Sequence, residues 1–249
     1  MMITVGMIYD VFNTKAPFET AEVWDNSGLL VGDSKQEVSS VLVALDITGD
    51  VIDQAVRQGA QLIISHHPVI FDGLKAVTPE QLVYRLIQQG LSALCVHTNA
   101  DKAADGVNDR LAALLGLENV RVAADGFSRV GTLPQAVDGG TFAKQTAQVL
   151  HTAVRVHEGT DLVHTVVVCG GAGGDLVLPL LKEADAALTG ELKHHEWLNL
   201  DKGKTVVDGG HYATEIAVVE GFAAWLREAF PDLQVLCATT QAPYQTIKD

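Results

Sequence analysis

Short apolar runs alternate with helical patterns through the first half of the chain, and this alternation restricts the possible folds more than any other feature. Three runs have the length of buried strands: residues 41–45, 62–65 and 93–96. Between them, apolar residues recur at helical spacing after Asp50, which is expected to cap its helix, and from Pro79 onwards. Gly59 and Gly90 end these two segments. The pattern predicts an α/β fold with mainly parallel sheets and helices on both faces.

The second half of the chain repeats this order in a looser form. From about Phe127 the predicted strands are shorter, although residues 163–168 and 186–188 remain clear strands around a helix that Asp175 opens. Each half contains strand, helix, strand and a His-His pair, which favours two related units, although two βαβ units can also resemble each other by chance. A single long helix is predicted over residues 212–230. Because no flexible linker separates the halves, the second unit, 127–206, is predicted to be inserted into a first unit made of 1–126 and 207–249.

Composition excludes several classes of protein. Of 249 residues, 47% are hydrophobic and 19% are charged, which is typical of a globular chain. The net charge of −14 and the absence of a Lys/Arg cluster argue against binding to a nucleic-acid backbone, but a small phosphorylated ligand stays possible because a metal can supply positive charge. The three cysteines form no CxxC motif. With no signal peptide and no apolar run long enough to span a membrane, a cytoplasmic protein is expected.

The strand at residues 62–65 leads directly into His66-His67-Pro68. Proline cannot donate to a sheet ladder, so the strand ends here, at the sheet edge where open α/β folds bind their ligands. Neighbouring residues of a strand point to opposite faces, and the two imidazoles therefore do not easily hold one ion together. We expect each to hold one of two nearby ions; the alternative is a surface pair at the end of a strand.

Other candidate metal ligands lie far apart in the sequence. Asp101 follows the strand at 93–96, and His211 and Glu215 are four residues apart, which places them on one helix face. Together with the histidine pair they provide imidazoles and carboxylates, which suit zinc, iron or manganese. Glu215 is the preferred bridging ligand because a carboxylate offers two oxygens. Alternatively, Asp101 caps a helix, His211 is an ordinary loop residue, and Glu215 complements a helix dipole.

Several motifs in series resemble the Nif-three-like family, whose members are often labelled GTP cyclohydrolase 1 type 2 homologues. The motifs are Trp24-Asp25-Asn26-Ser27-Gly28-Leu29, His66-His67-Pro68, His97-Thr98-Asn99-Ala100-Asp101, Thr189-Gly190-Glu191 and Gly209-Gly210-His211-Tyr212-Ala213-Thr214-Glu215. The resemblance implies two metal ions, one held by His66, Asp101 and Glu215 and the other by His67, His211 and Glu215. It also implies two interleaved α/β units and a homohexameric ring. The chain resembles the compact members that lack a large central insertion.

Four further residues near these motifs are weaker candidates. His97 follows a strand end and is our candidate for proton transfer beside the metals, the alternative being a core histidine bonded to backbone. Glu191, His194 and His195 are candidates for supporting contacts, although Glu191 can simply serve its own helix and the two histidines can simply face solvent. Trp24 is expected to be a packing anchor rather than a ligand contact.

These observations favour a metal-dependent hydrolase in which two divalent ions activate water. The family label suggests a nucleotide-like or heterocyclic small molecule as the substrate. Two alternatives remain. One is a phosphoesterase with the same two metals, and the other is a metal-holding or regulatory ring that binds a partner protein and catalyses nothing.

Overall fold

The structure is a computed structural model that describes residues 2–245. The helices of this part of the chain are α1 (Val5–Lys15), α2 (Gly49–Gln58), α3 (Leu82–Gln88), α4 (Thr98–Lys102), α5 (Val107–Leu114), α6 (Gly139–Val149), α7 (Gly174–Leu180), α8 (His194–Leu198), α9 (His211–Glu215) and α10 (Ala217–Ala229). The strands are β1 (Gly28–Val31), β2 (Ser40–Ala44), β3 (Leu62–Ser65), β4 (Ser92–Cys95), β5 (Glu118–Val122), β6 (Arg129–Val137), β7 (Arg155–His157), β8 (Val163–Cys169), β9 (Ala186–Thr189), β10 (Thr205–Asp208) and β11 (Gln234–Cys237). Within residues 2–245, every helix is too short or too polar to cross a membrane.

The chain divides into two compact units, each made of two stretches of sequence. Unit 1 comprises Met1–Ala104 and Val218–Gln241, and unit 2 comprises Asp105–Ala217 and Ala242–Asp249. The predicted boundaries at 126 and 207 differ from these, because α5 belongs to unit 2 and β10 pairs with β9 inside that unit. Residue 1 and residues 246–249, which the predicted ranges include, lie outside the described residues.

Unit 1 is built on a five-stranded sheet of order β1-β4-β3-β2-β11. The pairings of β4 with β3, β3 with β2 and β2 with β11 are parallel, whereas β1 runs antiparallel to β4 at one edge. Parallel strands connected by helices end at the same edge of the sheet, so the residues that follow β3 and β4 emerge together.

Both faces of this sheet are buried, as continuous apolar strands require. One face packs Leu42 and Ile63 against α2 and α3. The alternating residues Val43 and Ile64 point to the other face and are also fully buried. Phe12 of α1 packs against Phe222 and Trp225 of α10, with ring centroids 5.3 and 5.9 Å apart.

The ends of α2 show how local chemistry sets these elements. Thr48 Oγ1 accepts a hydrogen bond from Val51 N at 3.2 Å and caps the helix, and Gly59 ends it in the left-handed conformation with φ +68°. The prediction that Asp50 is the cap is wrong. Asp50 lies in the first turn, where its charge complements the helix dipole, while the Thr48 hydroxyl takes the capping position.

Unit 2 contains a six-stranded mixed sheet of order β5-β6-β8-β9-β10-β7. The centre, β8-β9-β10, is parallel, and the remaining pairings are antiparallel. Val166 and Val168 pack with α5 and α6 on one face, whereas Val167 and Cys169 pack with α7 on the other. Helices therefore cover both faces, as the alternation of strands and helices predicts.

The predicted long helix at 212–230 is two helices. α9 ends at Glu215, and α10 begins at Ala217. Ile216 between them keeps helical dihedral angles, φ −55° and ψ −26°, so the apolar periodicity continues through the junction and hides it in the sequence. The chain passes from unit 2 to unit 1 between Ala217 and Val218.

Candidate metal centre

Three imidazoles of unit 1 gather at the carboxyl edge of its sheet. His66 and His67 follow β3 directly, and His97 lies two residues beyond β4. One ring nitrogen from each of the three lies within 4.8 Å of the other two. The ring centroids are 4.9 Å apart for His66 and His67, and 5.1 and 5.6 Å from these to His97. The parallel pairing of β3 and β4 brings these residues together from positions thirty apart in the sequence.

Each of these imidazoles has its Nδ1 held by an oxygen. His66 Nδ1 lies 3.0 Å from the Val96 carbonyl, and His67 Nδ1 lies 2.7 Å from Asp46 Oδ1. His97 Nδ1 lies 2.7 Å from an oxygen of Asp25. Carbonyl and carboxylate oxygens only accept hydrogen bonds, so each Nδ1 carries the proton. A neutral ring then presents the lone pair of Nε2, which is the arrangement of metal-binding histidines.

Asp101 provides a carboxylate on the same side of unit 1. It lies on α4, which begins directly after His97, and it is only 7% exposed. Asp101 Oδ1 is 3.7 Å from His66 Nε2.

Unit 2 contributes a second histidine–carboxylate pair. His211 and Glu215 lie one turn apart on α9, and His211 Nε2 is 3.1 Å from Glu215 Oε2. The other ring nitrogen, Nδ1, lies 2.8 Å from Glu191 Oε1. His211 Nδ1 therefore faces an oxygen acceptor, as in the three imidazoles of unit 1, but its Nε2 also faces a carboxylate. Glu215 is 5% exposed, so its charge is largely removed from water.

Two glycines let backbone approach this pair closely. Gly171 follows β8 with φ +60°, and a Cβ built there would lie 2.1 Å from Glu215 Oε1. Gly190 follows β9, and a Cβ there would lie 2.8 Å from His211 Cα. Thr214 joins α9 to the first of these turns, because its Oγ1 accepts from Gly171 N at 3.1 Å, and Gly190 N donates to Gly171 O at 2.9 Å. The turn after β8 thus supports the position of α9.

Asp25 orients His97 and holds together the turn on which Asp25 itself lies. Its Oδ2 accepts from Thr98 Oγ1 at 2.5 Å and from Ser27 Oγ at 3.0 Å, in addition to the His97 contact. Burial by itself would raise the pKa of this carboxyl, but the hydrogen bonds from His97 and Thr98 outweigh it and hold the pKa well below its usual range. Asp25 is therefore an anion that orients His97 at neutral pH.

The donor set fits a divalent metal ion. Neutral imidazole nitrogens and carboxylate oxygens suit zinc, iron and manganese. Ligand atoms about 2.0–2.2 Å from a tetrahedral ion lie roughly 3.2–3.6 Å from each other. The separations of 3.7 Å between His66 and Asp101 and of 3.1 Å between His211 and Glu215 are close to this range. Both units thus contain histidine and carboxylate groups that can bind a metal ion.

The remaining predicted residues lie in different surroundings. Glu191 contacts His211, as described above. His194 and His195 are exposed at the start of α8, and neither belongs to a group within residues 2–245 that can hold a metal ion. The prediction that Trp24 is a packing anchor is wrong, since 61% of this residue is exposed. Its segment is held by Asp25 and Asn26, so Trp24 is not needed to fix the turn.

Asp25 and Asp46 are partners of the imidazoles that were not predicted from the sequence. Asp46 lies just beyond the carboxyl end of β2, which is the neighbour of β3 in the sheet. This position could have indicated that Asp46 lies near His67. Asp25 was harder to identify from the sequence. Aspartate is common in turns such as Trp24-Asp25-Asn26-Ser27-Gly28, so its presence there does not indicate a functional site.

The fold and the histidine–carboxylate groups define a class of two-unit α/β proteins with the ligands for divalent metal. The sequence model of DUF34/NIF3 (NGG1p interacting factor 3) matches residues 3–243. The chain belongs to this family.

Curated relatives and a solved structure agree with this assignment. A protein of Streptomyces coelicolor named "GTP cyclohydrolase 1 type 2 homolog" is 35% identical over 233 residues, which cover 85% of this chain and 81% of that one. A relative of the same name from Staphylococcus epidermidis is 40% identical over 119 residues, 47% of this chain, and the match spans only 32% of that relative's length. The crystal structure of the Staphylococcus aureus hypothetical protein SA1388 superposes with a TM-score of 0.90 at 26% identity, covering 99% of this chain and 100% of that one.

Proposed function

We propose that this protein is a metal-dependent hydrolase with a dinuclear centre that acts on a nucleotide-like or heterocyclic small molecule. The observation that carries the proposal is the arrangement of its imidazoles. His66, His67, His97 and His211 each have Nδ1 held by a fixed oxygen acceptor, which leaves Nε2 as a preorganised donor to metal or proton. Four such histidines in one chain are difficult to explain by packing, since a core histidine needs no common orientation.

The proposal assigns two ions to the candidate ligands. His66, Asp101 and Glu215 would hold one ion, and His67, His211 and Glu215 would hold the other. Bound divalent ions supply Lewis-acid polarisation of the substrate and a lowered pKa of water.

The protein residues around the ligands orient donors and move protons. Asp46 accepts from His67 Nδ1, so that Nε2 is the ligand atom of His67, and Glu191 orients the ring of His211. His97 has Nδ1 held by buried Asp25, and one of its ring nitrogens lies within 4.8 Å of nitrogens of His66 and His67. We assign to His97 Nε2 the acceptance of the proton released when water attacks the substrate, with Asp25 stabilising the resulting imidazolium.

The substrate class comes from the relatives. The printed name of the Streptomyces coelicolor protein is "GTP cyclohydrolase 1 type 2 homolog", and we extend to this chain a substrate with a nucleotide or related ring. The same proposal includes a homohexameric ring in the cytoplasm, which the family resemblance implies.

Purified protein loaded with iron, manganese or zinc tests the proposal against a panel of nucleotides and cyclic amides. We expect ammonia or formate to be released by the wild-type protein, with turnover lost in Glu215→Ala and reduced about 10²- to 10⁴-fold in His97→Ala, the usual contribution of a positioned acid or base. Release of phosphate would instead identify a phosphoesterase. A stable metal-loaded ring with no turnover on any substrate would contradict a hydrolase and favour a metal-holding protein.

A further inference from the structure

Two large aromatic side chains stand exposed beside the histidine group of unit 1. Trp24 is 61% exposed and Phe71 is 52% exposed, and their ring centroids are 6.1 Å apart at an angle of 39°. The indole also contacts the ring of His97, with centroids 6.2 Å apart at 78°. His97 in turn contacts both His66 and His67, so only one ring separates Trp24 from the histidine pair.

The exposure of Trp24 is not the result of a loose turn. Asp25, its neighbour, receives hydrogen bonds from Asn26 N at 2.7 Å and from His97 Nδ1 and Thr98 Oγ1. Glu22 N, on the other side of Trp24, donates to Thr98 Oγ1 at 2.9 Å. These polar contacts fix the backbone on both sides of Trp24 without using the indole.

Phe71 is held next to Trp24 by a separate contact. Asn26 Nδ2 donates to the Ile70 carbonyl at 2.6 Å, which fastens the segment that carries Phe71 to the turn that carries Trp24. Trp24 and Phe71 are therefore held in position while much of each aromatic ring stays exposed to water. An exposed apolar pair held in place by polar bonds has the properties of a ligand contact, because the protein gains little folding energy from it.

We propose that Trp24 and Phe71 form an aromatic platform on which the planar ring of the substrate stacks while its reacting part reaches the histidines. The inference rests on the proposed function, since it specifies the substrate class of that centre as one with a nucleobase-like ring. Stacking on an aromatic side chain suits every base and contributes about 1–3 kcal/mol per base. A flat ring also fits the open indole face better than an aliphatic ligand does, because offset stacking needs two planar surfaces.

The test compares two probes that share a phosphate and differ in the ring, guanosine 5′-monophosphate and ribose 5-phosphate. Their affinities for the metal-loaded protein are measured by calorimetry, with quenching of tryptophan fluorescence as a second readout. We expect the wild-type protein to bind the nucleotide more tightly. Trp24→Leu should lower the nucleotide affinity about tenfold, leave the affinity for ribose 5-phosphate unchanged and remove the quenching. Trp24→Phe should retain most of the binding.

Val23→Ala is the matched control, because Val23 lies on the same turn and is fully exposed but has no ring. It should bind both probes as the wild type does. Unchanged nucleotide affinity in Trp24→Leu, or equal affinity of the wild type for the two probes, would overturn the platform. A change in oligomeric state by light scattering, without a change in nucleotide affinity, would overturn it too, because the pair would then cover a second copy of the chain.

The test of the aromatic platform can fail independently of the test of the proposed hydrolase. Metal content and turnover report on the hydrolase, whereas the difference between the two probes reports on the platform alone. Trp24→Leu should keep the wild-type metal content, because Trp24 contributes no ligand atom.

Discussion

Single oxygen atoms decide which nitrogen each histidine presents. His67 is the clearest case, because its partner Asp46 is a side chain that can be removed, whereas the partner of His66 is a backbone carbonyl. Loss of such an outer partner typically weakens metal binding about 10- to 100-fold, because the ring can rotate and the proton can move to the ligand nitrogen.

Asp46→Ala should therefore weaken zinc binding by about 10- to 100-fold with little loss of fold stability. Competition with a chromophoric chelator measures the affinity. Asp53→Ala is the control, because Asp53 is a similarly exposed carboxylate that pairs with Arg85 and contacts no histidine. Equal zinc affinity in Asp46→Ala and wild type would show that His67 does not use this contact to bind metal.

Gly171 is the residue at which backbone and candidate ligand come closest. Gly171→Ala would meet both the strain of a left-handed φ and a Cβ 2.1 Å from Glu215 Oε1. Gly126→Ala is a matched control, since Gly126 also has a positive φ, +73°, but a Cβ there meets nothing within 4 Å. We expect Gly126→Ala to cost about 1–2 kcal/mol of folding free energy from strain, and Gly171→Ala to cost more and to displace Glu215. Urea unfolding and metal content measure both effects, and identical behaviour of the two variants would contradict the close approach.

At the scale of elements, α9 depends on the turns that follow β8 and β9. Thr214 is buried, accepts from Gly171 N and donates within its own helix at Gly210 O or His211 O. A five-residue helix has few hydrogen bonds of its own, so this side chain stabilises the position of His211 and Glu215.

Thr214→Val should lower the free energy of unfolding by about 1–3 kcal/mol, because it leaves the buried Gly171 N–H without its acceptor. Thr146→Val is the comparison, since the Thr146 hydroxyl is equally buried but only donates to Phe142 O in its own helix. Its loss should cost less than about 1 kcal/mol. Urea denaturation distinguishes the two, and an equal cost would mean that Thr214 does not hold the turn.

Elements with strong periodicity could be predicted from the sequence, and those without it could not. β3 has the predicted bounds, Leu62–Ser65, because three buried apolar residues and the buried Ser65 lead directly into His66-His67-Pro68. β5 was missed because all five of its residues are exposed, so no apolar alternation marks it. β1 could not be predicted, since Asp25, Asn26 and Ser27 precede it directly and turn residues dominate the local signal.

At the scale of the molecule, the two-part organisation could be predicted, but the boundaries differ from the expected ones. The shorter predicted strands after Phe127 indicated where the second unit begins. The preceding helix α5 resembles the helices of unit 1 in sequence, but it packs in unit 2. The consequence reaches the candidate site, because His211 and Glu215 were assigned to the first unit and lie in the second. Sequence spacing carries no distance between such residues, so ligand chemistry and the family resemblance suggested their association with His66 and His67 without showing it.

The central proposal is that Glu215 is a ligand shared by two metal ions. Metal content per chain, measured by inductively coupled plasma mass spectrometry after reconstitution with zinc, tests it directly. Glu228→Ala is the control, since Glu228 is an exposed carboxylate that pairs with Lys15. We expect about two ions per chain in the wild type and in the control, and about one or fewer in Glu215→Ala, because a bridging ligand serves both ions. Two ions retained at full stoichiometry in Glu215→Ala would contradict the account.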